Sequence, residues 1–247
     1  MTADRWARAV RQQVGLGRIL ALGGPRDGAW IAERAAEAVL RRAVVRDVPG
    51  VRLDGVRIGL ADPEGVTGEP VVPAPPGVVP PGALRLTVEF AATAVRPVPV
   101  TASRLREVLA EVVVERIGLA VVEVDLRVVE LLDAEPVPVS VPVPGAEPAP
   151  GESAADEPAG PGGSETDRVA TAAVAVPGVS RLTGVLGRSV HLTEQRGDTG
   201  LSRRHARVDL AVVADARPLD VARRVRSAVT ESLPDHPTVA VLITAVD

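Results

Sequence analysis

The 247-residue sequence contains no cysteine. That excludes disulfides, thiolate metal sites and cysteine nucleophiles. Lysine, asparagine and tyrosine are missing too, so all 28 basic residues are arginine. Lysine and asparagine use AT-rich codons; their absence points to a GC-rich genome and is not by itself a sign of phosphate recognition. Aromatic residues amount to 1% against 46% hydrophobic, so any core must be built from Val, Leu, Ile and Ala. An excess of positive charge is also lacking. The net charge is -4, which weighs against general nucleic-acid binding, because that needs a clustered cationic footprint. No apolar run approaches the ~18 residues of a membrane helix. Arg5, Arg8, Arg11 and Arg18 interrupt the N-terminal region, so no secretory signal is expected. The expected location is cytoplasmic, with peripheral attachment at the membrane as a variant.

What is present is repetition. Val48-Pro49-Gly50-Val51 recurs as Val176-Pro177-Gly178-Val179. Each copy follows an alanine-rich helical pattern and precedes two strands, a helix and a closing Val-rich strand. The closing strands are 122–130 and 239–247. Such self-similarity predicts an internal duplication, and 247 residues suit two domains of about 100 residues each.

Residues 4–14 read as an amphipathic helix with Trp6, Val10 and Val14 on one face. Gly23-Gly24-Pro25 breaks the chain, and Asp27 reads as a helix cap. A stripe of Ile31, Ala35, Ala38 and Val39 then forms the first helix of the first copy. Val51 to Leu60 alternates like a strand. Residues 61–83 hold seven prolines and are expected to be a mobile or polyproline-like loop outside any ladder. Leu84, Leu86, Val88 and Phe90 alternate as a second strand. Leu105, Val108, Leu109 and Val112 mark a helix stopped by Gly118. Val122, Val124, Leu126 and Val128 close the copy.

Residues 134–166 carry eight prolines and six acidic residues with no basic one. They are expected to form a disordered linker, able at ~3.1 Å per residue to reach roughly 100 Å, so the halves need not touch. The second copy starts at Asp167. Its strands are expected at 185–192, 206–214 and 239–246. Pro218 suits the first turn of its second helix.

The expected fold class is α+β: two homologous modules, each a small sheet with two helices on one face and its own core. The domains are 1–28 (helix and joint), 29–133 (first module), 134–166 (linker) and 167–247 (second module). In the first module the other sheet face is polar, carrying Arg85, Thr87, Glu89, Glu123, Asp125 and Arg127. The matching positions of the second module are Arg207, Asp209, Ala211, Ala240, Leu242 and Thr244, mostly apolar. An apolar face of this kind marks a contact surface, covered by the first domain, a twin chain or another protein.

This order of elements resembles the alkaline-shock-protein (envelope stress response) family of Gram-positive bacteria. The residues that carry the resemblance are Val169-Ala170, Val176-Pro177-Gly178-Val179, Val208 to Val212, Val221 to Val229 and Val239 to Val246. Residues 167–247 match well and 29–133 more loosely. The resemblance implies a non-enzymatic cytoplasmic protein, often held near the membrane by a partner, with no catalytic residue to carry over.

Chemistry-bearing residues are sparse. His191, His205 and His236 lack the short spacing of a metal site. Gly15-Leu16-Gly17 lacks the third glycine of a dinucleotide loop and follows a helix; it reads as a flexible joint. Arg203-Arg204-His205 reads as a solvated loop. Neither a Ser-His-Asp set nor a convergent carboxylate pair is recognisable. The expected function is therefore a non-catalytic scaffold or adaptor acting through protein contacts, with no cofactor, metal, nucleic acid or small-molecule substrate. Its partner-binding residues are expected to be Trp6, Val10, Ala211, Ala240 and Leu242. The expected partner is a protein, membrane-anchored in one variant, or a second copy of the chain. The alternative is a nucleic-acid-associated regulator built from tandem α+β modules.

Overall fold

The computed structural model describes residues 15–66, 68, 70–134, 164–184, 187–196 and 202–247. The expected N-terminal helix with Trp6 and Val10, and nearly all of the 134–166 linker, lie outside the described residues. The described chain is mixed α+β, with four α-helices and two sheets.

Strands β1 (Ile19–Leu22) and β2 (Ala29–Ala32) form an antiparallel hairpin. The sequence pattern predicts a helix cap at Asp27 and a helix through Ile31, whereas Asp27 lies in the hairpin turn and Ile31 in β2. Both strands are buried on both faces, so they show no polar alternation, and a short apolar run cannot be told from a helix by period alone. Helix α1 (Glu33–Asp47) follows directly, with Ala32 at its N-cap. Its buried stripe is Ala35, Ala36, Val39, Leu40, Ala43 and Val44, the spacing of one helical face. Each fully buried Leu or Val contributes about 1.5–3 kcal/mol.

Strand β3 (Val51–Leu60) pairs antiparallel with β4 (Leu84–Thr93), and β5 (Val121–Leu132) pairs parallel with β4. Between β4 and β5 the chain runs through α2 (Val98–Glu111) and a π-helical turn, Val112–Ile117, which Gly118 ends at φ 97°. In the second half α3 (Glu165–Val174) opens with a capping box between Ser164 and Asp167, two residues before the expected start. Next come β6 (Val179–Leu182), β7 (Val190–Arg196), β8 (Ser202–Val212), α4 (Pro218–Ser232) and β9 (Thr238–Val246). The single strand expected at 185–192 is replaced by β6 and β7, which pair antiparallel with opposite ends of β8. Strand β9 pairs parallel with β8 on its other side.

The two Val-Pro-Gly turns do the same work. Gly50 and Gly178 adopt φ of 81° and 99°, a region that costs an L side chain energy but not glycine. The Gly50 carbonyl accepts from Thr93 N at 2.9 Å and the Gly178 carbonyl from Val213 N at 3.0 Å. Each turn therefore fastens a helix end to the far end of the middle strand.

The expectation of separate cores is not met. One continuous core runs from Leu40, Phe90, Leu105 and Ile117 to Val208, Val225, Val229 and Ile243. The cause is β2, which adds in parallel to β9 through the pairs Ala29↔Val241, Trp30↔Leu242 and Ile31↔Ile243. The larger sheet thus has the order β1-β2-β9-β8-β6, with β7 also on β8. Helix α1 packs on both β3 and β9. Polar contacts follow the same seam: Arg42 Nη1 donates to Val246 O at 3.0 Å, Arg217 Nη2 to Val114 O at 3.0 Å, and Arg223 pairs with Asp27 at 2.8 Å.

The proline-rich segment is also packed, contrary to the expected mobile loop. Val71 N donates to Pro25 O at 3.1 Å and Val79 N to Ile19 O at 2.8 Å. Val78 bridges to Ile19, and Val72 is buried. Prolines cannot donate, but the valines between them can.

Candidate functional site

Three places in the fold bear on function. The first is the face of the larger sheet on which the partner-binding residues were expected. Ala211, Ala240 and Leu242 are all completely buried. Leu242 and Ala240 form a small cluster with Ile19, Trp30 and Val72, edged by Ala21 and Val78. The N-terminal hairpin and the proline-rich segment supply that cover. These residues are therefore not open to an outside partner, and the expected docking role for them is corrected. Trp30, Leu242 and Asp209 lie side by side across β2, β9 and β8.

The enclosed face has polar members. Asp209 is fully buried and accepts from Arg207 Nε at 3.1 Å. Burial pushes its carboxyl up to about 6, with Arg207 opposing the shift. Its Oδ2, the Trp30 Nε1 and the His191 Nε2 are buried without a hydrogen-bond partner. His191 sits opposite Arg207 on β7. Burial, then Arg207, lowers the pKa of His191, and of His205, whose Nδ1 lies 3.0 Å from Thr238 Oγ1. His236 is exposed beside Thr230 O at 3.1 Å. Among the described residues no group of three His, Cys, Asp or Glu is arranged to hold a metal. The Asp209–Arg207 pair is enclosed, so its effect is on stability.

Two other sequence readings change. Arg204 and His205 belong to β8, not to a loop, and Arg204 ties Glu165 at the start of α3 to Asp235 after α4. Leu16 and Gly17 are a packed turn, not a flexible joint: Leu16 is buried, and the Glu33 carboxylate accepts from Arg18 N at 3.2 Å and Ile58 N at 2.7 Å.

The second place is the smaller sheet. Its polar face carries a ladder of exposed ion pairs: Arg85 with Glu123 at 2.6 Å and with Asp125 at 3.5 Å, and Arg127 with Glu89 at 3.5 Å. Such pairs contribute roughly 0–1 kcal/mol each. Strand β5 ends this sheet, and among the described residues no strand pairs with its outer edge. Along it Val122, Val128, Val129 and Leu131 are 64%, 38%, 45% and 59% exposed. Strand β9 occupies the same position after its own middle strand, and its outer edge is taken by β2. The pattern Val122, Val124, Leu126 and Val128 predicts a simple alternation for β5, which the structure does not keep. The doublets Val121-Val122, Val128-Val129 and Leu131-Leu132 were the available signal, since two register shifts against β4 turn apolar residues outward.

The third place is a groove where the halves meet. Its two lobes hold about 220 and 200 Å³. One wall is Val39, Arg42 and Arg46 of α1, with Glu115 and Arg116 of the π-helical turn. The other is the loop Ala214, Asp215, Ala216, Arg217 and Pro218. π-Helical turns often occur at functional positions. Sequence reasoning singled out none of these arginines, because α1 and the 214–218 loop are far apart in the chain.

Among the described residues no helix is long and apolar enough to cross a membrane. No protein-family model matches the chain, and no curated protein matches it.

Proposed function

We propose that the chain is a non-catalytic adaptor of the envelope-stress kind, made of two related modules fused in one polypeptide and acting in the cytoplasm. Shared descent of the modules is supported by their common order of helix, strands, helix and strand, and by the matching Gly50 and Gly178 turns. The observation that carries the adaptor reading is the partly apolar edge of β5, which no strand among the described residues covers. An uncovered edge offers a row of backbone donors and acceptors to an incoming strand. The occupant is an extended segment of a protein partner, which adds to β5 as β2 adds to β9.

The test is affinity capture with the full chain from its own host cells, wild type against a Val122→Lys/Leu131→Lys double variant. Lysine on an edge strand opposes strand addition. Both positions are more than half exposed, so the urea midpoint should not move. Loss of a co-captured protein with the double variant supports the reading. An identical set of captured proteins overturns it.

A further inference from the structure

The groove between the halves has a charge arrangement that the adaptor reading does not use. Arg46 is committed to Asp47 at 2.5 Å. Arg42 uses one nitrogen on the Val246 carbonyl. The Arg116 guanidinium engages no hydrogen bond or ion pair among the described residues, nor does the Asp215 carboxylate across from it. Arg42 and Arg116 are close enough that the charge of Arg116, after burial, lowers the pKa of Arg42. Asp247 offsets part of this repulsion at Arg42, and the charge of Arg116 reaches Asp47, but neither guanidinium forms an ion pair among the described residues, which leaves both able to engage an external anion.

We propose that this groove binds a small phosphoryl dianion, held between Arg42 and Arg116 with Arg46 at its margin. The guanidinium fork matches phosphate oxygens in pairs. The size of each lobe, about 220 and 200 Å³, is below the roughly 300–1,000 Å³ of pockets that enclose larger ligands. A free phosphate or the head of a small phosphomonoester fits within one lobe. The proposal stands apart from the β5 edge: either can fail without the other.

The test is calorimetric titration of the full chain with inorganic phosphate and, separately, with glycerol phosphate, at fixed ionic strength set by sodium chloride. Saturable binding of one equivalent is expected for at least one of the two, and the tighter of them identifies the source. Arg116→Gln should weaken binding at least about tenfold, the loss of a charge-assisted contact. Asp215→Asn should strengthen it by roughly two- to fivefold by removing a like charge. Arg116 is half-buried and makes no hydrogen bond or ion pair among the described residues, so the variant should keep close to the wild-type urea midpoint; Arg42→Gln is the second variant. Opposite responses to Arg116→Gln and Asp215→Asn support the site. Absence of saturable binding, or affinity unchanged in both arginine variants, overturns it.

Discussion

Removing Trp30 should weaken both halves at once. Trp30 is 2% exposed on β2 and pairs across to Leu242 of β9. It therefore belongs by sequence to the first half and by packing to the second. Truncating a buried tryptophan to alanine costs about 3–5 kcal/mol. Against this, its indole Nε1 has no partner, and losing an unpaired buried donor returns about 1–3 kcal/mol. The net expectation for Trp30→Ala is a loss of about 2 kcal/mol. With a urea dependence of about 2–3 kcal/mol per molar, the midpoint of the full chain drops by roughly 1 M. Far-ultraviolet circular dichroism is the readout, since it reports helices of both halves. One transition should shift as a whole. Trp30→Phe keeps most of the apolar contact and removes the orphan donor, so its midpoint should stay close to wild type. Two transitions in the Trp30→Ala protein, with the later one unmoved, would show that the halves fold independently. That result would refute the shared core.

Asp209 sets a pH dependence. Its folded-state carboxyl is raised to about 6, so the folded chain binds this proton more tightly than the unfolded chain does. Its contribution to stability is therefore highest below about pH 4, falls as pH rises from about 4 to 6, and is flat above. Two pKa units correspond to at most about 3 kcal/mol. His191 and His205, both lowered, act in the opposite sense and reduce stability as pH falls below about 6.5. Urea midpoints of wild type and Asp209→Asn should thus diverge between pH 4 and 6, the variant becoming the more stable; parallel profiles would contradict the burial argument. Gly118→Ala should cost about 2–4 kcal/mol. The residue sits at φ 97°, and an added Cβ would lie 2.7 Å from Leu219 Cβ, so strain and overpacking add. A thermal midpoint within 2 °C of wild type, a change of at most about 1 kcal/mol, would count against this.

The strands β3, β4, β5 and β9 and the helix at Pro218 were legible because their periodicity is local. Val51 to Leu60, Leu84 to Phe90 and Val239 to Val246 each lie within a few residues of the strand ends found. The hairpin β1–β2 was not legible. Ile19–Leu22 and Ala29–Ala32 are apolar on every side because the larger sheet and the insert enclose them, and a pattern without a polar face carries no period. The candidate site was readable only in part. Ala211, Ala240 and Leu242 stand out in the sequence as an apolar surface in search of cover; of the three covers expected, the structure has the chain's own N-terminal part, so their role as residues open to an outside partner falls. The arginine groove left no trace in sequence spacing.

The sequence alone determined an aliphatic chain without thiol chemistry, two matched Val-Pro-Gly turns, the elements that follow the first turn and the last three that follow the second, because hydrophobic period and glycine conformation act over a few residues. Tertiary structure alone decided that the halves share a core, that Trp30 covers Leu242, that β9 is paired on its outer edge while β5, among the described residues, is not, and that Arg42 and Arg116 face the 214–218 loop. Those outcomes depend on which surface meets which across hundreds of residues of separation, and burial, not local pattern, makes that choice.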